Sequence, residues 1–256
     1  MQDQDFLRFT RQSVNTYKDI GLVEVTEILK KLEQGYTEPY YCRCSDGNSY
    51  IVKGANATRK GLVKEWVCAN IGIQFGLPIP EPVIVNVPTC FTEYGENTSL
   101  AIGECFGSTY VENLSEVNYS QLGLIDHQTM LDLYAFDYWI KNGDRCLTER
   151  GGNPNLFIDM RHSSVVVVDH NLAFDEHFSL EDHKQIHVAS KFWNAEQSRM
   201  FDRAVYEDKF RKAFSKFDDF AAQLPDSWLQ DLDCLLNRLK LTLSAYEQEE
   251  FWEGLK

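Results

Sequence analysis

Residues 137–175 read DYWIKNGDRCLTERGGNPNLFIDMRHSSVVVVDHNLAFD. They follow a strongly apolar run, Leu131 to Ile140, with the character of a buried helix. A polar, glycine-broken loop comes next and carries Asn142, Asp144, Arg145, Asn153 and Asn155. Two short apolar runs, Asn155 to Asp159 and Val165 to Asp169, then predict a hairpin whose second strand ends on an acid. A loop Asp, a following Asn and a strand-terminal Asp form a phosphoryl-transfer constellation. The first acid orients and deprotonates the acceptor, and the amide and second acid hold Mg²⁺ against nucleotide phosphates. Magnesium keeps several waters, so one amide oxygen and one carboxylate suffice. The candidates are Asp144 for the acceptor and Asn153, Asn155 and Asp169 for the metal.

Toward the N-terminus the pattern is of strands. Val23 to Leu32 alternates weakly, residues 34–39 (QGYTEP) signal a turn, and Tyr40–Cys44 and Tyr50–Lys53 flank the hairpin signal Asp46-Gly47-Asn48. Leu62 to Phe75 has the apolar spacing of an amphipathic helix, stopped by Gly76 and Pro78, with Glu65 in its first turns. Val83–Val87 predicts another strand, residues 91–105 a looser strand pair, and residues 101–107 the crossing to a second lobe. Beyond the central hairpin, residues 181–194, 199–222 and 226–252 carry helical periodicity. Phe201, Val205, Phe210, Phe214, Phe217 and Phe220 form a stripe expected to face the core. The expected fold is α+β and two-lobed: an arm over 1–20, an antiparallel-sheet lobe with one helix over 21–106, and a mostly helical lobe over 107–256.

The 256 residues are 43% hydrophobic and 13% aromatic, enough for a sizeable core, and the net charge of −14 disfavours nucleic acid and anionic lipid. No apolar run is long enough to span a membrane, and the polar start lacks a secretory pattern, so a cytoplasmic setting is expected. Seven irregularly spaced cysteines, without a C-x-x-C, read as reduced, buried thiols. Arg59, Lys60 and Lys64 read as a solvated basic face. His183 and His187 lack the partners of a zinc site, and Arg145 reads as a brace for its loop.

A strand-terminal Lys53 followed by the helical Glu65 matches the ion pair with which kinases grip phosphates. The set Tyr50–Lys53, Lys64–Asn70, Gly76–Val83, Asn142-Gly-Asp-Arg145, Asn153–Leu156 and Val168–Phe174 resembles the HipA-like kinase family over roughly residues 20–190. The resemblance implies a protein-kinase-like fold, Mg-ATP, and phosphorylation of a Ser/Thr hydroxyl on a protein, this chain itself included. It also raises an antitoxin-like or regulatory protein partner. It assigns Asp144 as the catalytic-loop acid, Asp169 as the metal acid, and Lys53 with Glu65 as the phosphate grip. Two departures stand out. The family's Asn lies five residues after the Asp, where this chain has Glu149, so an insertion of about four residues moves the match to Asn153, with Asn155 second. In place of a glycine-rich phosphate loop the chain offers Gly35 and Thr37. A lipid or small-molecule kinase and a nucleotide-binding pseudokinase are the alternative functions.

Overall fold

The computed structural model describes residues 23–32, 37–91, 100, 102–159, 161, 164–196, 202–232 and 234–256. The arm expected over 1–20, Gly35 and most of the strand pair expected over 91–105 lie outside the described residues.

Five strands close into a barrel: β1 (Val23–Lys31), β2 (Tyr40–Cys44), β3 (Ser49–Lys53), β4 (Pro82–Val87) and β5 (Gly103–Thr109), in the order β1-β2-β3-β5-β4. All pairings are antiparallel except β1 with β4, which closes the barrel. The β2–β3 turn forms as its residues dictate. Gly47 takes φ +83°, the Asp46 carboxylate accepts the Asn48 amide at 3.0 Å, and the Tyr50 hydroxyl donates to Asp46 at 2.6 Å. Alternation sends Cys42 and Cys44 inward with Tyr40, Tyr50 and Val52. Cys68 and Cys105 are buried too, but Cys90 and Cys234 are exposed, contrary to a uniformly buried set.

Helix α1 (Arg59–Phe75) lies between β3 and β4 in sequence. Thr58 caps it by accepting the Gly61 amide, and Gly76 ends it at φ +103°, with the Gly76 and Leu77 amides bonded to the Gly72 carbonyl. The expected amphipathic face is too narrow a description. Twelve residues of α1 are buried, because the barrel covers one side and the C-terminal helices another.

Most of the stretch expected to cross between lobes belongs to β5, a strand of the closed barrel, and the chain leaves the barrel after Thr109. Strand β6 (Leu114–Glu116) follows, then α2 (His127–Trp139), capped by Asp126 and buried on nearly every side. The loop after α2 folds as a small hairpin, β7 (Cys146–Thr148) with β8 (Gly151–Asn153). The expected hairpin follows as β9 (Leu156–Asp159) and β10 (Ser164–Val167), in a sheet ordered β10-β9-β6.

The C-terminal helical runs are more broken than their periodicity suggests. They are α3 (Leu180–Ile186), α4 (Ser190–Glu196), α5 (Arg203–Phe214), α6 (Phe217–Ala221), α7 (Asp226–Leu229), α8 (Leu235–Leu243) and α9 (Glu249–Leu255). Phe201 lies outside the described residues, and the rest of the phenylalanine stripe spans two helices. Phe210 and Phe217 are buried, whereas Val205 is exposed.

These helices tie the barrel to the rest of the chain. The Trp66 indole of α1 donates to the Phe220 carbonyl at 2.9 Å. The Trp228 indole donates to the Glu104 carbonyl of β5 at 2.8 Å. Trp228 is among the largest fully covered side chains. Trp228→Ala should therefore cost about 3–5 kcal/mol of stability, the usual scale for deleting a buried Trp. Leu241→Ala, at a side chain exposed in the structure, should stay within about 0.5 kcal/mol. Urea denaturation of both variants checks the contrast.

Candidate active site

A cavity of about 380 Å³ lies where the barrel faces the β10-β9-β6 sheet. Thr37, Lys53, Glu65, Asn153, Asn155 and Asp169 all line it. The structure thus collects every phosphate- and metal-binding candidate among the described residues around one cavity. Ile51, Phe106, Tyr110, Val111 and Val166 line the same space. Sequence reading missed these residues, because each looks like ordinary strand interior; only closure of the barrel turns them to one space.

Lys53 is buried at the end of β3 and pairs with Glu65 of α1. Its ammonium also lies 3.0 Å from Asp169 Oδ1. Glu65 reaches across to accept the His170 amide at 3.1 Å. Two carboxylates therefore share one ammonium in a dry setting. Burial, with Asp169 nearby, pushes Glu65 up to about 7 despite Lys53. Burial also works against Asp169, but Lys53 and its hydrogen bonds bring that carboxyl down to about 2. The surplus negative charge suits a cation. Among the described residues no three His, Cys, Asp or Glu side chains form a metal cage of their own. The donor set fits a metal that arrives with phosphates, which needs only one or two protein oxygens.

Asp144 lies in the loop between α2 and β7, and its Oδ2 accepts two amides, Asn153 Nδ2 at 2.8 Å and Asn155 Nδ2 at 3.0 Å. The insertion is the β7–β8 hairpin, which returns Asn153 to Asp144 nine residues later. Both amides donate to the acid, which leaves both amide oxygens for other partners. Asp144 itself lines a separate, larger opening of about 520 Å³. It stands between the two spaces, with the asparagines lining the smaller one.

Arg145 holds this arrangement, as its reading as a brace anticipates. The guanidinium is buried and donates to Asp137 Oδ2 at 2.7 Å. It also donates to the carbonyls of Asn155 at 2.5 Å, Val168 at 3.0 Å, Pro154 at 3.3 Å and Asp169 at 3.4 Å. Asn155 and Asp169 sit at φ +44° and +62°, a region that Asn and Asp tolerate better than most residues. Burial would raise Asp137, but Arg145 and His187 hold its carboxyl well below the usual range. His187 Nε2 donates to Asp137 at 2.9 Å, while its Nδ1 accepts the Ala189 amide. His183 Nε2 donates to the Tyr134 carbonyl at 3.2 Å. These two imidazoles are thus fastened within the fold.

A model of the HipA-like kinase family matches residues 25–255. The chain belongs to the HipA-like kinase family. The crystal structure of a Helicobacter pylori proinflammatory kinase, CtkA, superposes on this HipA-like kinase with a TM-score of 0.54. The match has 11% identity and covers 91% of this chain and 94% of that one. At that identity the likeness speaks for the fold alone: a kinase-like mixture of N-terminal sheet and C-terminal helices. The open conformation of CtTel1 aligns at a TM-score of 0.32 and 12% identity, over 82% of this chain and 11% of that one, too slight to carry an argument. No curated protein matches. No described helix of this HipA-like kinase is long and apolar enough to cross a membrane.

The buried imidazoles set an acid limit. Burial lowers His170 to about 3 and also lowers His183 and His187. Their folded values lie below the unfolded one, so the stability they confer is full above about pH 6.5 and is lost as pH falls toward the folded values. Glu65 has the opposite sign, losing stability as pH rises through about 7. Three groups outweigh one, so the urea midpoint should fall between pH 7 and pH 5. His183→Gln should flatten that slope by up to about 1.4 kcal/mol per pH unit.

Proposed function

We propose that this kinase, two-lobed in the protein-kinase manner, transfers the γ-phosphate of Mg-ATP to a Ser or Thr hydroxyl of a protein, with its own chain among the candidates. The observation that carries this reading is the place of Asp144, between the Lys53–Glu65–Asp169 cavity and a second opening, linked to the first through Asn153 and Asn155. The nucleotide belongs in the first space, with Lys53 and the Thr37 region against its phosphates. Asp169 and an amide oxygen of Asn153 or Asn155 would hold magnesium, which when bound offsets phosphate charge. Asp144 then faces the acceptor. As the hydroxyl oxygen bonds to the γ-phosphorus and the bond to the ADP oxygen breaks, its proton passes to Asp144. The Lys53–Glu65 pair keeps α1 in place while this happens.

The return of Asn153 to Asp144 by a folded hairpin supports an active kinase over a pseudokinase. Gly152 makes that hairpin possible, because a Cβ there would stand 2.3 Å from the Cys146 carbonyl oxygen. Gly152→Ala should therefore lower turnover markedly. Gly123→Ala should not, since its Cβ would meet nothing within 4 Å.

Two further measurements test the assignment. Mg-ATP should raise the melting temperature, since only the folded state binds it, and Lys53→Ala should shrink that rise. Asp144→Asn keeps the shape but not the charge, so transfer should fall by roughly two to four orders of magnitude with the Mg-ATP shift preserved. Equal turnover in wild type and Asp144→Asn would make Asp144 structural.

A further inference from the structure

Asn142 is buried in the loop between α2 and Asp144, and its side chain links two groups of unequal exposure. Nδ2 donates to Oδ1 of the buried Asp137 at 3.0 Å, and Oδ1 accepts the Asp144 main-chain amide at 3.3 Å. The Asn142 main-chain amide also donates to the Asp137 carbonyl at 2.8 Å, which fastens the residue to the last turn of α2. An ionised carboxylate only accepts hydrogen bonds. The Asn142 side chain must therefore turn its nitrogen to Asp137, and its oxygen is left for Asp144. Arg145 and His187 donate to the other oxygen of Asp137 and keep it ionised. The charge of one buried carboxylate thus orients an amide, and the amide holds the main chain at Asp144. The other attachments of Asp144 agree. Its carbonyl accepts the Cys146 amide at 3.0 Å, and its Oδ2 accepts Asn153 and Asn155. Among the described residues no hydrogen bond engages its Oδ1.

We propose that Asn142 is a positioning residue for phosphoryl transfer, which acts through Asp144 by holding its main chain so that Oδ1 is the oxygen offered to the acceptor hydroxyl. The proposal rests on the reading of Asp144 as the group that takes the hydroxyl proton. Asn142 lines neither the cavity of about 380 Å³ nor the opening of about 520 Å³. It therefore meets neither nucleotide nor acceptor there, and its effect on the reaction travels through the loop. A displacement of about 1 Å at a reacting group can cost about 100-fold in rate.

The test is a double-mutant cycle on the full chain. ADP release from Mg-ATP is measured with dephosphorylated casein present, and kcat and the KM for Mg-ATP are taken separately. In the wild-type background Asn142→Ala should lower kcat by about 10- to 100-fold and leave KM within about twofold. In the Asp144→Asn background the same change should cost less than about threefold, because the group it positions has already lost its charge. Asn142→Asp is nearly isosteric but sets a second carboxylate against Asp137, and it should show the same dependence on background. Equal losses in both backgrounds overturn the proposal, as does a KM that rises by more than kcat falls. Loss of folding in both variants, read by thermal melting, would make Asn142 structural and also overturns it. A slow Asp144→Asn beside a fully active Asn142→Ala removes this inference alone. Full turnover in Asp144→Asn removes the reading of Asp144, whatever Asn142→Ala does. Absence of turnover in the wild type removes both.

Discussion

The buried guanidinium of Arg145 is the constraint on which the site depends. One side chain binds the Asp137 carboxylate and four carbonyls, two from the Pro154–Asn155 turn and two from Val168–Asp169. Asp144 is its sequence neighbour, and Asn155 and Asp169 lie on the segments it grips. A buried ion pair adds little net stability, since desolvation offsets the attraction, but losing one partner is costly. Its value here is geometric. Five directed donors in a planar fork can hold two strained turns in one mutual position, which a lysine ammonium could not do.

A second constraint couples the barrel to the helical part. Glu65 is the shared element, bonded on one side to Lys53 and on the other to the main chain just after Asp169. Helix α1 cannot drift without breaking that link. It is also packed against α5, α6 and α7, and Trp66 is hydrogen-bonded to the Phe220 carbonyl of α6. Strand β5, alongside, is fastened by Trp228. The Lys53–Glu65 pair is thus built on elements that the C-terminal helices hold from outside. The unbalanced charge of Glu65 and Asp169 is kept at the lining of the cavity of about 380 Å³.

The placement of the candidate residues was legible in the sequence where it depends on residue type and local order. Lys53 ends a strand, Glu65 follows on a helix, and Asp169 ends a hairpin because hydrophobic alternation and turn residues set those elements locally. Asp46-Gly47-Asn48, Thr58 and Gly76 marked boundaries that the structure keeps. The C-terminal helices were less legible. Breaks at Ser215–Lys216 and Gln230–Asp231 follow tertiary packing and leave no strong glycine or proline signal.

What the sequence alone determined, then, is the order of elements, the identity of the polar residues and the kinship with HipA-like kinases. The rest was decided by closure in three dimensions. The insertion after Asp144 could have been a slack loop; cross-strand pairing of Cys146–Thr148 with Gly151–Asn153 made it a hairpin that returns an amide to the acid. Residues 103–109 could have been a connection; pairing with both β3 and β4 made them a barrel strand. Lys64 could have been an ordinary surface lysine on an amphipathic helix. Its burial follows from what packs around α1, and burial of that kind is a property of neighbours distant in sequence, which no local pattern encodes.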